Sequence, residues 1–122
     1  MNWQPISEAA LSARIEEGAC AMSAPALALW EAIRIPPIKW RLSPWGNKGG
    51  GFWVVGILGR RVIWFNDIED GFNVSHYDSP GVIAEYLCDQ DELHHTVCRL
   101  MELLQTGIEC PHCGPPQPVP TD

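Results

Sequence analysis

Phe52-Trp53-Val54-Val55-Gly56-Ile57-Leu58-Gly59-Arg60-Arg61-Val62-Ile63-Trp64-Phe65-Asn66 reads as a β-hairpin. Two runs rich in β-branched and aromatic residues flank Gly59-Arg60, and glycine at the first central position is what a type II′ turn requires. Strands at 52–58 and 61–66 then pair with Ile57 opposite Val62, Val55 opposite Trp64 and Trp53 opposite Asn66. In that register Trp53, Val55, Ile57, Val62 and Trp64 share one face. Phe52, Val54, Leu58, Ile63 and Phe65 share the other. Both faces are apolar, so the hairpin is expected to be central and covered on both sides. A side left bare would be a binding surface.

Outward from the hairpin, a strand is expected at 38–42, before the loop Ser43-Pro44-Trp45-Gly46-Asn47-Lys48-Gly49-Gly50-Gly51. The polar turn 66–71 leads to a strand at 72–77. Ser79-Pro80-Gly81 is a type II turn signal, and a last strand is expected at 82–88. Helices flank this meander. Ser7 opens the first, and Ser23 caps a second with Pro25 just inside it. Pro36 and Pro37 are expected to stop that second helix. Asp89 caps a final helix at 90–105, with Leu93, Val97, Leu100, Met101 and Leu104 on its buried stripe and Gly107 at its end. The reading is α+β: two N-terminal helices, an antiparallel meander of four or five strands over about 38–88, one C-terminal helix and a Pro-rich tail. Residues 1–107 form a single domain and 108–122 the tail.

The 122 residues suffice for one packed domain. Six Trp are many for this length and are expected to dominate the core or a contact surface. The net charge of −7 argues against nucleic-acid binding, which needs many cations to displace counterions. The charge is unevenly placed. Between Ala32 and Asn66 stand Arg34, Lys39, Arg41, Lys48, Arg60 and Arg61 with no carboxylate, while the rest of the chain carries all fifteen carboxylates and only Arg14 and Arg99. Either the two parts neutralise one another across the fold, or the surface is polarised and steers a charged partner. No apolar run is long enough to span a membrane. Met-Asn-Trp-Gln-Pro at the start has neither a basic nor an apolar signal region, so a cytoplasmic location is expected. The five Cys are then reduced thiols or metal ligands rather than a disulfide framework.

Four groups of residues could carry chemistry. Cys110-Pro111-His112-Cys113 resembles the active site of periplasmic thiol oxidases of the thioredoxin superfamily. In that family the motif opens a helix, whereas here Gly114-Pro115-Pro116 follows and no βαβ unit surrounds it. Metal is the better reading. His94 and Cys98 are four apart on one helix face, and Cys110 with Cys113 adds a second close pair, which together suit tetrahedral zinc in a structural site. Asp67, Glu69 and Asp70 beside Gly71 suggest a calcium loop, but the EF-hand spacing would put Ile68 and Tyr77 at ligand positions. With His76 these carboxylates could instead do acid–base work. Gly46-Asn47-Lys48-Gly49-Gly50-Gly51 offers amides to an anion but lacks Walker A spacing and a following helix.

The expected function is a non-enzymatic, acidic protein-interaction module of bacterial type, binding another protein or a second copy through Trp45, Trp53, Trp64, Asp67, Glu69 and Asp70. Size, charge and the helix–meander–helix build resemble those of toxin-neutralising immunity proteins, which implies inhibition of a partner protein. The second reading is a small domain stabilised by zinc on His94, Cys98, Cys110 and Cys113. The third is a carboxylate-based hydrolase or carbohydrate-active enzyme using Asp67, Glu69, Asp70 and His76.

Overall fold

A computed structural model describes residues 4–109, with only the backbone described at Lys48. The architecture is α+β. Helices α1 (Glu8–Cys20) and α2 (Ala24–Ile33) precede strands β1 (Arg34–Trp40), β2 (Phe52–Leu58), β3 (Arg61–Asn66) and β4 (Gly71–His76), and helix α3 (Leu93–Thr106) follows. The strands form one antiparallel sheet in the order β1-β2-β3-β4. Both predicted serine caps form: Ser7 Oγ accepts from Ala10 N at 3.1 Å and Ser23 Oγ from Ala26 N at 3.3 Å.

The hairpin turn stands as expected, with Gly59 at φ 59° and Ile57 opposite Val62. Beyond that pair the register departs from expectation. Val54 lies opposite Trp64 and Gly56 opposite Ile63, so Val55 is the extra residue of a β-bulge, and Trp53 faces Phe65 rather than Asn66. A bulge puts two successive residues on one side and exchanges the faces of everything before it. Trp53 and Val55 therefore join Ile63 and Phe65 beneath the helices, while Phe52 and Val54 join Val62 and Trp64 on the opposite face. Gly56 lies against the Trp30 ring, 3.2 Å from where a Cβ would stand, and Trp30 is fully buried there.

Three further expectations are corrected. Pro36 and Pro37 do not merely end α2. They lie inside β1, which is an edge strand and can spare their missing N–H groups. Asp89 does not cap α3. Its N–H donates to Asn73 Oδ1 at 2.8 Å, and the helix begins four residues later behind Glu92. No strand forms at 82–88. The type II turn is there, with Gly81 at φ 91° and Val82 N–H donating to Ser79 O at 3.2 Å. The chain beyond it does not add to the sheet edge but crosses the sheet's second face.

This crossing segment answers what covers that face. Ile83 N–H donates to Arg41 O at 2.8 Å and Ala84 N–H to His76 O at 3.0 Å, so it is held from both sides of the sheet. Ile83 and Leu87 then pack on Trp40, Phe52, Val54, Val62 and Trp64. An irregular buried backbone must find hydrogen bonds that a strand would find in its neighbour. Here side chains supply them. Ser75 Oγ donates to Glu85 O at 2.9 Å and accepts from Trp64 Nε1 at 2.9 Å. Asn66 Nδ2 donates to Leu87 O at 2.9 Å, and Asn73 Nδ2 to Asp89 O at 3.1 Å. Asn66, Asn73 and Ser75 are at most 1% exposed.

Truncating one of these side chains leaves buried backbone groups unpaired, at about 1–3 kcal/mol each. Asn73→Ala should cost about 3 kcal/mol, seen as a lower urea midpoint at unchanged slope. A loss below about 0.5 kcal/mol, the range of neutral surface changes, would contradict this role.

Candidate functional site

The predicted binding residues separate into four places. Trp64 is fully buried between sheet and crossing segment and reaches no outer surface. Trp53 and Asp67 meet on the helix side and hold both backbone groups of one residue, Ile6. Trp53 Nε1 donates to Ile6 O at 3.4 Å, and Asp67 Oδ2 accepts from Ile6 N at 2.7 Å. Lys39 lies 4.7 Å over the Trp53 ring. Burial lowers the Lys39 pKa, against the opposing pull of the Asp67 charge. These three residues tie the N-terminal segment to the sheet.

Asp70 turns away from both. It forms an ion pair with Arg14 of α1 at 2.8 Å and is largely exposed. It sits at φ 59°, a left-handed position that Asp tolerates. The loop itself is shaped by Asn66, whose Oδ1 accepts from Ile68 N at 3.0 Å and Glu69 N at 3.2 Å. His76 stands at the far end of β4, about 17 Å from this loop, and faces Glu85 and Glu109 instead. The carboxylates and imidazole of the hydrolase reading do not converge.

Trp45 and Glu69 are linked at the surface through Tyr86, which stacks on Trp45 and feels the Glu69 charge. The Trp45 ring stacks on Tyr86, centroids 4.3 Å apart and planes at 20°. Both rings are half-buried, as is Glu69. Tyr86 extends the aromatic cluster inward, 6.2 Å from Trp64 and 6.4 Å from Phe52. Its hydroxyl is pushed above the ordinary value of 10.0, first by burial and further by the charges of Glu69 and Cys88, with the Asn66 hydrogen bond opposing. Tyr86 was not singled out from the sequence. It lies in a stretch that reads as an ordinary strand, and only the crossing path brings it to Trp45.

Pairing resolves part of the charge asymmetry. Arg34 meets Glu31 at 3.6 Å, Arg60 meets Asp78 at 3.8 Å and Arg61 meets Glu109 at 3.1 Å. Among the described residues Glu8, Glu16 and Glu17 of α1 are exposed and make no ion pair, so much of the surplus charge lies on that helix. Two open clefts, of about 370 and 340 Å³, flank residues 82–84. The larger is lined by Arg41, Leu42 and Ser43, the smaller by Asp78 and Ser79. Neither holds a predicted site residue.

Of the metal expectation, Cys110 and Cys113 lie outside the described residues. Cys98 is exposed. His94 is half-buried, with Nδ1 3.5 Å from Glu92 Oε2. The His95 ring centroid lies 4.0 Å from that of His94. Among the described residues no group of three or more His, Cys, Asp or Glu side chains is placed to hold a metal ion, and no helix is long and apolar enough to cross a membrane. Compared with known protein families, curated proteins and solved structures, the chain matches none.

Tyr86 makes a pH prediction. Folding favours its neutral hydroxyl, so above the ordinary value of 10.0 the unfolded chain gives up this proton first and stability falls as pH rises. Lys39, with its lowered pKa, acts in the opposite direction over an overlapping range. The difference between wild type and Tyr86→Phe cancels the Lys39 contribution. Urea unfolding across the tyrosine titration range should show wild type losing stability relative to Tyr86→Phe; parallel curves would refute it.

Proposed function

We propose that this chain is a non-enzymatic, acidic protein-interaction module that docks a basic partner protein at the Trp45–Tyr86 stack and Glu69. The observation that carries this reading is the half-exposed stacked pair itself. Two rigid rings give a large contact area at little conformational cost, and Trp and Tyr are prominent among residues that dominate interface energies. A carboxylate whose charge acts on Tyr86 of the stacked pair suits Lys or Arg on the partner, through an ion pair and cation–π contact together. The surplus carboxylates of α1 would steer such a partner toward the module. A homodimer through the same surface would bring two chains of net charge −7 together, which favours a basic partner over a second copy.

Immunity-type inhibition is the specific form of this reading: the module covers the working surface of its partner. We place it in the cytoplasm, where the thiols of Cys20, Cys88 and Cys98 would stay reduced. The divergence of Asp67, Glu69, Asp70 and His76 favours binding over hydrolysis.

Affinity capture from the native host, followed by measured affinity for the captured protein, tests the proposal. Trp45→Ala should weaken binding about 30-fold, the scale of a hot-spot residue. Glu69→Gln should weaken it less and reduce its salt dependence. Binding left unchanged by both substitutions, with folding intact by circular dichroism, would remove the docking surface from consideration.

A further inference from the structure

We propose that the larger cleft beside residues 82–84, the one lined by Arg41, binds a carboxylate that carries a small aliphatic group. Arg41 is the cation left over. Of the six arginines, Arg14, Arg34, Arg60, Arg61 and Arg99 each form an ion pair, and among the described residues Arg41 forms none. Carboxylates outnumber basic residues fifteen to eight, so Arg41 is not alone for want of partners. A guanidinium presents a planar fork of donors that matches a carboxylate through two parallel hydrogen bonds.

The fold gives this side chain a fixed base. Arg41 N–H donates to Gly81 O at 2.9 Å, and its carbonyl accepts from Ile83 N–H at 2.8 Å. Its backbone thus bridges in parallel to the crossing segment. About 370 Å³ of open space is lined by Arg41, Leu42 and Ser43 together with Val82, Ile83 and Ala84. Ser43 Oγ is the second donor there. Its contact with Asn47 Oδ1, at 3.3 Å, is exposed and long for an O–H···O bond, so the hydroxyl is free to turn to a ligand.

The lining also selects the anion. The N–H groups of Arg41, Val82, Ile83 and Ala84 already donate to the carbonyls of Gly81, Ser79, Arg41 and His76. These residues therefore leave no row of amides for a phosphate, whose charge one arginine would only half neutralise. A single guanidinium with a hydroxyl suits a monoanion. Val82 is 37% exposed and Ala84 is exposed too, which puts apolar surface in the same cleft as the cation. An aliphatic group on the ligand would bury that surface. The second cleft, of about 340 Å³, shares Val82, Ile83 and Ala84 and extends to Asp78 and Ser79, so a longer ligand has room to continue. A free short-chain acid and the C-terminal residue of a peptide both present this chemistry. The inference stands apart from docking at Trp45, because binding is read on the isolated chain with no partner present.

Titration of the isotope-labelled full chain, followed by NMR, tests it. The probes are isobutyrate, N-acetyl-alanyl-valine with a free carboxylate, the same dipeptide as its C-terminal amide, and inorganic phosphate. Either carboxylate should give saturable shifts at Arg41, Ser43 and residues 82–84. A tighter fit for the dipeptide assigns the site to a chain terminus, and equal or tighter binding of isobutyrate assigns it to a free acid. Arg41→Gln should weaken binding at least about tenfold, the scale of a charge-assisted hydrogen bond. Arg41→Lys should recover part of that loss and Ser43→Ala should cost less, with each fold checked by circular dichroism. No saturable shifts with either carboxylate, equal binding of the amide, tighter binding of phosphate, or full affinity in Arg41→Gln would each overturn the proposal.

Discussion

Asn66, Asn73, Ser75 and the Trp64 indole form a buried polar row on the sheet's second face, and the segment from Glu85 to Asp89 hangs from it. Every other feature of that side follows from this capture. A sheet with apolar residues on both faces must be covered on both. Three helices cover one side, and each contributes to it, because Leu11, Trp30 and Leu93, one from each helix, belong to the same cluster as Phe65. The second cover is irregular chain, which can be buried only if its N–H and C=O groups find partners. Asn73 satisfies both groups of Asp89 at once, as an adjacent strand would. Gly71 lets the segment approach β4, since a Cβ there would run into Asp89 O and Gln90.

The two sides of the sheet were unequally legible. Helix caps, the Gly59-Arg60 turn and the antiparallel order rest on local chemistry and could be read from a few adjacent residues. The face assignment in β2 could not, because a bulge has no strong local signal. Gly56 is the one hint: a glycine inside an apolar strand marks a bulge or a close approach, and here it marks both. The crossing segment was harder still. Ile83 and Leu87 look like strand residues because they are buried. What denies them a strand is the alternation in Phe72-Asn73-Val74-Ser75, whose polar positions face inward and bind backbone instead of facing water.

The candidate site was legible as residue types and misplaced as geometry. Trp45, Trp53 and Trp64 look alike in sequence, yet one is half-buried on a stack, one clamps Ile6 and one is sealed inside. Asp67, Glu69 and Asp70 lie within four positions but serve three neighbours, because a tight loop fans its side chains outward. The charge division was real and mostly local in effect: Arg34, Arg60 and Arg61 meet carboxylates from outside their own segment or at its boundary.

Glu85 and Tyr86 connect the aromatic pair to the far end of β4. As neighbours on the crossing segment they point apart, Glu85 toward His76 and Tyr86 onto Trp45. Between them the backbone is fixed by Ser75 holding the Glu85 carbonyl. The geometry of the aromatic pair and the His76–Glu85 contact therefore share one support. Any substitution that loosens the polar row would disturb both together, whereas a change at Trp45 or at His76 alone touches one. That asymmetry separates a loss of function caused at a site from one caused beneath it. It also gives a physical reason for burying three polar side chains where apolar ones would pack: they hold an irregular segment in the single path that positions residues 85 and 86 in opposite directions.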